Sequence, residues 1–144
     1  MNNPEIKKIM ILAVSFLSGM CIFLTVLLYI LLNDGVTFIT GVDNSTVLVC
    51  AAIGISCMPA GLFIYRNLVE KSRVQQDPDE RLRALRTAII IRSAIWEAGV
   101  LINCIALIMN HSWISLIVSG AIILEFLVFF PTPVRIQSEL DTKY

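Results

Sequence analysis

Four apolar runs, separated by short polar stretches, dominate the chain; they cover residues 10–32, 47–65, 88–109 and 114–130. Each is close to the roughly 20 residues a helix needs to cross a hydrocarbon core of about 30 Å. Within lipid every backbone N–H and C=O must be satisfied inside the segment, so each run is expected to be a helix. Polar positions inside the runs are few, and charge enters at Arg92, Glu97 and Glu125 alone. Lys7 and Lys8 before the first run give it the look of a signal peptide. Its apolar stretch is too long for that, and no small-residue cleavage site succeeds it, so it is expected to be retained.

Composition agrees. Hydrophobic residues make up 57% of the 144, charged residues 15%, and the mean hydropathy is +0.81. An ordinary soluble domain is about 45–50% apolar and about 25% charged, and one of this size has too little interior for four such runs. A single integral membrane domain over 1–144 is the expectation. The zero formal net charge hides an asymmetry. Lys7 and Lys8 precede the first run, Arg66, Lys71, Arg73, Arg81, Arg83 and Arg86 lie between the second and third, and Arg135 and Lys143 come after the fourth. The connections at 33–46 and 110–113 carry no Lys or Arg. By the positive-inside rule both termini and the central loop are cytoplasmic, in a multi-pass protein of the cell inner (plasma) membrane.

The central loop carries its own helix signals. Asp77-Pro78-Asp79-Glu80 combines an Asp cap, Pro at the first helical position and acids in the first turn. The pattern ERLRALRTAIII then runs unbroken into the third span. A helix of about 32 residues, near 48 Å, exceeds the core and must project from it. IYRNLVEKSRVQQ lacks a breaker and prolongs the second span in the same way. The predicted fold is thus all-α: a four-span bundle with a cytoplasmic helical hairpin at 66–87. Pro131-Thr132-Pro133 is read as the stop of the fourth helix, leaving 131–144 as a cytoplasmic tail.

Ionisable groups at membrane depth are costly and by default functional. The 110–113 turn is short, so the third and fourth spans are antiparallel neighbours. Glu97 lies thirteen residues before Asn110 and Glu125 twelve after Trp113, which puts both about 18–20 Å from the turn. Of two carboxylates at one level of a low-dielectric medium, one or both are expected to hold a proton near neutral pH, or the two to share a cation. Arg92 lies about 140° around the helix from Glu97. It either pairs across to Glu125 or snorkels to the interface, and Trp96, four residues on, is within reach of a cation–π contact. Ser93, Glu97, Val100 and Cys104 share a face suited to close packing, and Asn103 is read as an interhelical hydrogen-bond donor or acceptor.

Other features are weaker. Cys21, Cys50, Cys57 and Cys104 lie inside spans without metal-type spacing and read as small apolar packers. Pro59 is expected to kink the second span. Asn44-Ser45-Thr46 matches a glycosylation sequon, and His111 stands alone at a turn. No catalytic nucleophile–base pair, metal cluster or cofactor motif is visible, and the basic residues lack the aromatic interleaving of a nucleic-acid surface.

The segment QQDPDERLRALRTAIIIRSAIWEAGVLINCIALIM resembles the second half of the proteolipid c subunit of rotary ATP synthases. Gln76-Asp77-Pro78-Asp79 stands where that family has its polar turn, and Glu97 where it has its ion-binding carboxylate. The resemblance covers about 35 residues, or about 60 with the second span. It implies an oligomeric ion-handling subunit. The chain departs from the family in having only Gly54 and Gly61 in the preceding helix, Arg92 at a small-residue position, and two further spans. Two functions are compatible with these features. One is a structural, assembly or accessory subunit of a membrane complex, partnered by the bilayer and by other subunits or further copies of itself. The other is a c-like subunit in which Glu97 binds a proton or cation, tuned by Glu125 and Arg92. A membrane enzyme or lipid-binding protein is a third class, without a catalytic constellation behind it.

Overall fold

A computed structural model of the chain describes residues 4–39, 45–74 and 77–141. Asn44 of the sequon, Gln75 and Gln76 of the central turn, and Lys143 lie outside them. The helices, in chain order, are α1 Pro4–Asn33, α2 Ser45–Arg73, α3 Pro78–Asn110, α4 Trp113–Val128 and α5 Pro133–Asp141. Helices α1, α2 and α3 are each long and apolar enough to cross a membrane, while α4 qualifies only together with α5, from which it is bent by 70°.

The local signals act as their chemistry requires. Asp77 caps α3 with its side chain, which accepts from the Asp79 N–H at 3.0 Å, and Pro78 opens the helix. The 33 residues of α3 then run without a break, about 50 Å at the usual rise. Helix α2 likewise continues past Tyr65 to Arg73, with Pro59 inside it.

The fourth segment ends earlier than its apolar pattern. Helix α4 has 16 residues, about 24 Å, short of a core of about 30 Å. Pro131 and Pro133 cannot supply N–H donors, so the α-helical ladder does not continue past Phe129. Past this break the chain is helical again rather than a plain tail. Thr132 caps a new helix: its hydroxyl accepts from the Arg135 N–H at 3.3 Å and its carbonyl from Ile136 at 2.9 Å. Pro133 takes the first position of α5, where its missing N–H costs nothing.

Helix α3 is the centre of the bundle. It touches the other four helices, most extensively α2. Half of its apolar window is buried, against 22% for α2 and 17% for α1. On α1 the inward positions Ile9, Ala13, Met20, Leu27 and Leu31 recur at helical spacing, while Ile11, Ile22 and Tyr29 face outward. Glycines set the close approach of α2 to α3. A Cβ at Gly54 would lie 2.2 Å from Asn103 Nδ2, and one at Gly61 would lie 2.5 Å from Trp96 Nε1.

Two apolar clusters fill the interior. The larger runs along α1, α3 and α4 through Met20, Trp96, Val100, Leu107, Ile122 and Phe126. The smaller gathers Ile9, Tyr65, Val69, Leu82, Leu85, Ile89 and Ile136. This brings the start of α1, the end of α2, the start of α3 and α5 to one end of the molecule, which therefore holds the described basic residues outside the spans. At the opposite end the Ile39 N–H donates to the His111 carbonyl at 2.8 Å, the Trp113 N–H to the Ile39 carbonyl at 3.3 Å, and the Phe38 and Trp113 rings sit 4.9 Å apart. His111 adopts a left-handed conformation (φ 49°) and closes α3 by donating to the Leu107 carbonyl.

Candidate functional site

Arg92 is the centre of the polar structure within the bundle. Its side chain is 2% exposed. The guanidinium lies over the Tyr65 ring at 4.5 Å and the Trp96 ring at 5.0 Å, so the i, i+4 contact with Trp96 forms and α2 supplies a second aromatic wall. Nη2 donates to the Phe129 carbonyl at 3.0 Å, one of the carbonyls left over where α4 ends. Nε is buried and finds no acceptor. Beyond Arg92, the Tyr65 hydroxyl donates to the Glu139 carboxylate of α5.

The other sequence-predicted residues fall in different places. The Trp96 and Phe126 rings meet edge to face at 5.7 Å and hold α3 and α4 in register, which sets their chain neighbours Glu97 and Glu125 at similar depth. Each is one residue, or about 100°, off that line of contact. Glu97 is half-buried against α1, its Oε1 3.8 Å from where a Cβ on Gly19 would stand, and it makes no hydrogen bond or ion pair with a described residue. Glu125 buries Oε2 without a hydrogen-bond partner. It lies close enough to Arg92 for their charges to interact, but no ion pair within 4 Å joins them. The guanidinium is turned instead to the α4 end and the aromatic faces. Asn103 bridges helices as its type and depth imply, with Nδ2 donating to the Cys50 carbonyl at 3.2 Å and to Gly99 at 3.0 Å. Ser93 is fully buried with an unpartnered hydroxyl.

A cleft of about 500 Å³ opens from Arg92 toward the basic end, between α2, α3 and the α4–α5 corner. Arg66, Arg73 and Arg135 join Arg92 in lining it, with Glu70 and Glu139 as the acidic members and Leu62, Val69 and Phe129 among the apolar ones. Arg135 is anchored by its own contacts, Nη1 to the Val128 carbonyl at 3.0 Å and the guanidinium over the Phe129 ring at 5.6 Å. Sequence reasoning located Arg92 and missed the rest. Tyr65 at the end of an apolar run was a legible interfacial aromatic. Arg135 and Glu139 were legible only through the Thr132-Pro133 cap that puts them on one helix.

Among the described residues no three His, Cys, Asp or Glu side chains gather as a metal site, and the four cysteines are free thiols. The arrangement offers fixed positive charge, aromatic faces and directed N–H donors. No protein-family model, curated protein or solved structure matches this chain.

Proposed function

We propose that the chain is a four-span integral membrane protein of the cell inner membrane, serving as a structural, assembly or accessory subunit of a membrane complex. Both termini and the α2–α3 hairpin are cytoplasmic in this reading, and the basic end meets the cytoplasmic headgroups. One observation carries it: three side chains of α3, Arg92, Trp96 and Asn103, donate to carbonyls of neighbouring segments. Arg92 bonds Phe129, Trp96 donates to the Met58 carbonyl at 3.3 Å, and Asn103 bonds Cys50. Such groups specify helix pairing in lipid. A hairpin that outruns the hydrocarbon core then presents a charged surface for docking. Purification of the tagged full chain from its native membrane in mild detergent tests this. Recovery with other subunits at fixed stoichiometry is expected, and recovery of the isolated chain alone overturns the reading.

A second reading rests on Glu97. Its carboxylate lies at mid-span with no hydrogen-bond or ion-pair partner among the described residues, as an ion-carrying group in a c-like ring of copies requires. A carbodiimide that selects protonated buried acids then labels Glu97 in preference to Asp79 and Glu80, and Glu97→Gln folds yet abolishes activity. Equal labelling of all three, or wild-type growth with Glu97→Gln, removes this reading and leaves the first standing.

A further inference from the structure

We propose that the cleft between α2, α3 and the α4–α5 corner binds the phosphate of an anionic lipid headgroup, gripped by Arg92 from within and by Arg66, Arg73 and Arg135 at its mouth. The placement rests on the membrane reading above.

The charge balance is the first argument. Four arginines and two glutamates line the cleft. None of the four arginines forms an ion pair with a described residue, although Glu70 and Glu139 line the same space. Glu139 instead accepts from Tyr65. Guanidinium groups that outnumber the carboxylates around one cavity favour an anion there.

The second argument is Arg92 itself. A guanidinium 2% exposed whose Nε makes no hydrogen bond is costly unless an acceptor arrives. Its plane is already set by the Tyr65 and Trp96 rings. A planar fork of fixed orientation suits the oxygens of a phosphate, and Arg does this better than Lys.

The third argument concerns what the phosphate is attached to. Leu62, Val69 and Phe129 give the cleft apolar walls beside its arginines. A free phosphate has no use for them, whereas the glycerol and first acyl carbons of a lipid do. Arg92 sits within the third apolar run, and Arg66, Arg73 and Arg135 lie beyond the runs on the same side. That is the level at which a headgroup meets its acyl chains. Basic pockets between transmembrane helices on the cytoplasmic side are a recurrent form of headgroup recognition.

The test uses the purified full chain in neutral detergent, with thermal unfolding as readout. Short-chain phosphatidic acid is titrated against short-chain phosphatidylcholine and against inorganic phosphate. Phosphatidic acid should raise the unfolding temperature saturably while phosphatidylcholine does not. The double variant Arg66→Gln/Arg135→Gln removes two exposed side chains and should raise the half-saturating concentration by about tenfold or more. Arg83→Gln/Arg86→Gln, the same charge change outside the cleft, should leave it nearly unchanged. If the first double variant fails to fold, its two single variants give the same comparison at smaller effect. Equal loss in both pairs, or equal stabilisation by phosphatidylcholine, overturns the site. Saturation by inorganic phosphate at the same concentration assigns the cleft to a free anion and overturns the lipid. Because binding is read in detergent, failure of the membrane orientation would show separately, in accessibility labelling of intact cells.

Discussion

At the residue scale, contact distances separate positions that look alike in sequence. Gly61 and Gly120 both lie inside apolar runs. A Cβ at Gly61 would stand 2.5 Å from the fully buried Trp96 ring, whereas nothing lies within 4 Å of one at Gly120. Gly61→Ala is therefore expected to destabilise by roughly 1–3 kcal/mol through overpacking, and Gly120→Ala to be neutral or slightly stabilising. Unfolding midpoints in detergent check this, and equal behaviour of the two variants would refute the close α2–α3 packing. Arg92 and Glu125 give a second contrast. Arg92→Met strips the Phe129 carbonyl of its charged donor, a loss of about 1.5–3 kcal/mol. Glu125→Leu removes a buried oxygen that has no partner and should be neutral or stabilising. The double variant should then be near the sum; strong recovery in it would mean that the two side chains pair directly after all. The i, i+4 contact of Arg92 with Trp96 and the bridging role of Asn103 were legible because each depends on one helix and on depth. The gathering of Tyr65, Phe129 and Glu139 around Arg92 was not, because it depends on how three helices cross.

At the element scale, one helix-start signal recurs. A polar cap before a Pro opened α3 at Asp77-Pro78, and the same pairing opens α5 at Thr132-Pro133. The second was masked by Pro131, which reads as the end of a span. The nine residues of α5 hold their place through Ile136, which is 1% exposed among Ile9, Tyr65 and Val69. A helix this short is not stable alone, so its order depends on that contact. Ile136→Ala should therefore release α5 first, raising amide exchange over 133–141 by at least tenfold while the interior of α3 keeps its protection. A uniform rise throughout the bundle, or none in α5, would show that Ile136 does not anchor it. Release of α5 should also weaken anion binding in the cleft, since Arg135 travels with it.

For the whole molecule, the distribution of charge makes the sharpest expectation. Cysteine introduced at Asp34, at the end opposite the basic residues, should react with membrane-impermeant reagents from outside intact cells, and cysteine at Ser138 should not; the reverse pattern would invert the bundle. Four apolar runs, their helical state, the long α2 and α3, and the sidedness of Lys and Arg are all dictated by the order of residues. They are set by hydropathy, by caps adjacent in the chain and by the backbone's need to bond within its own segment. The central position of α3 and the joining of Arg92 with Tyr65, Phe129, Arg135 and Glu139 are not dictated by that order. Each depends on the rotation of one helix against another, which Gly54 and Gly61 allow and the Trp96–Phe126 contact holds in register. A turn of about 100° per residue means that neighbours in sequence face different partners, and only the packed bundle decides which.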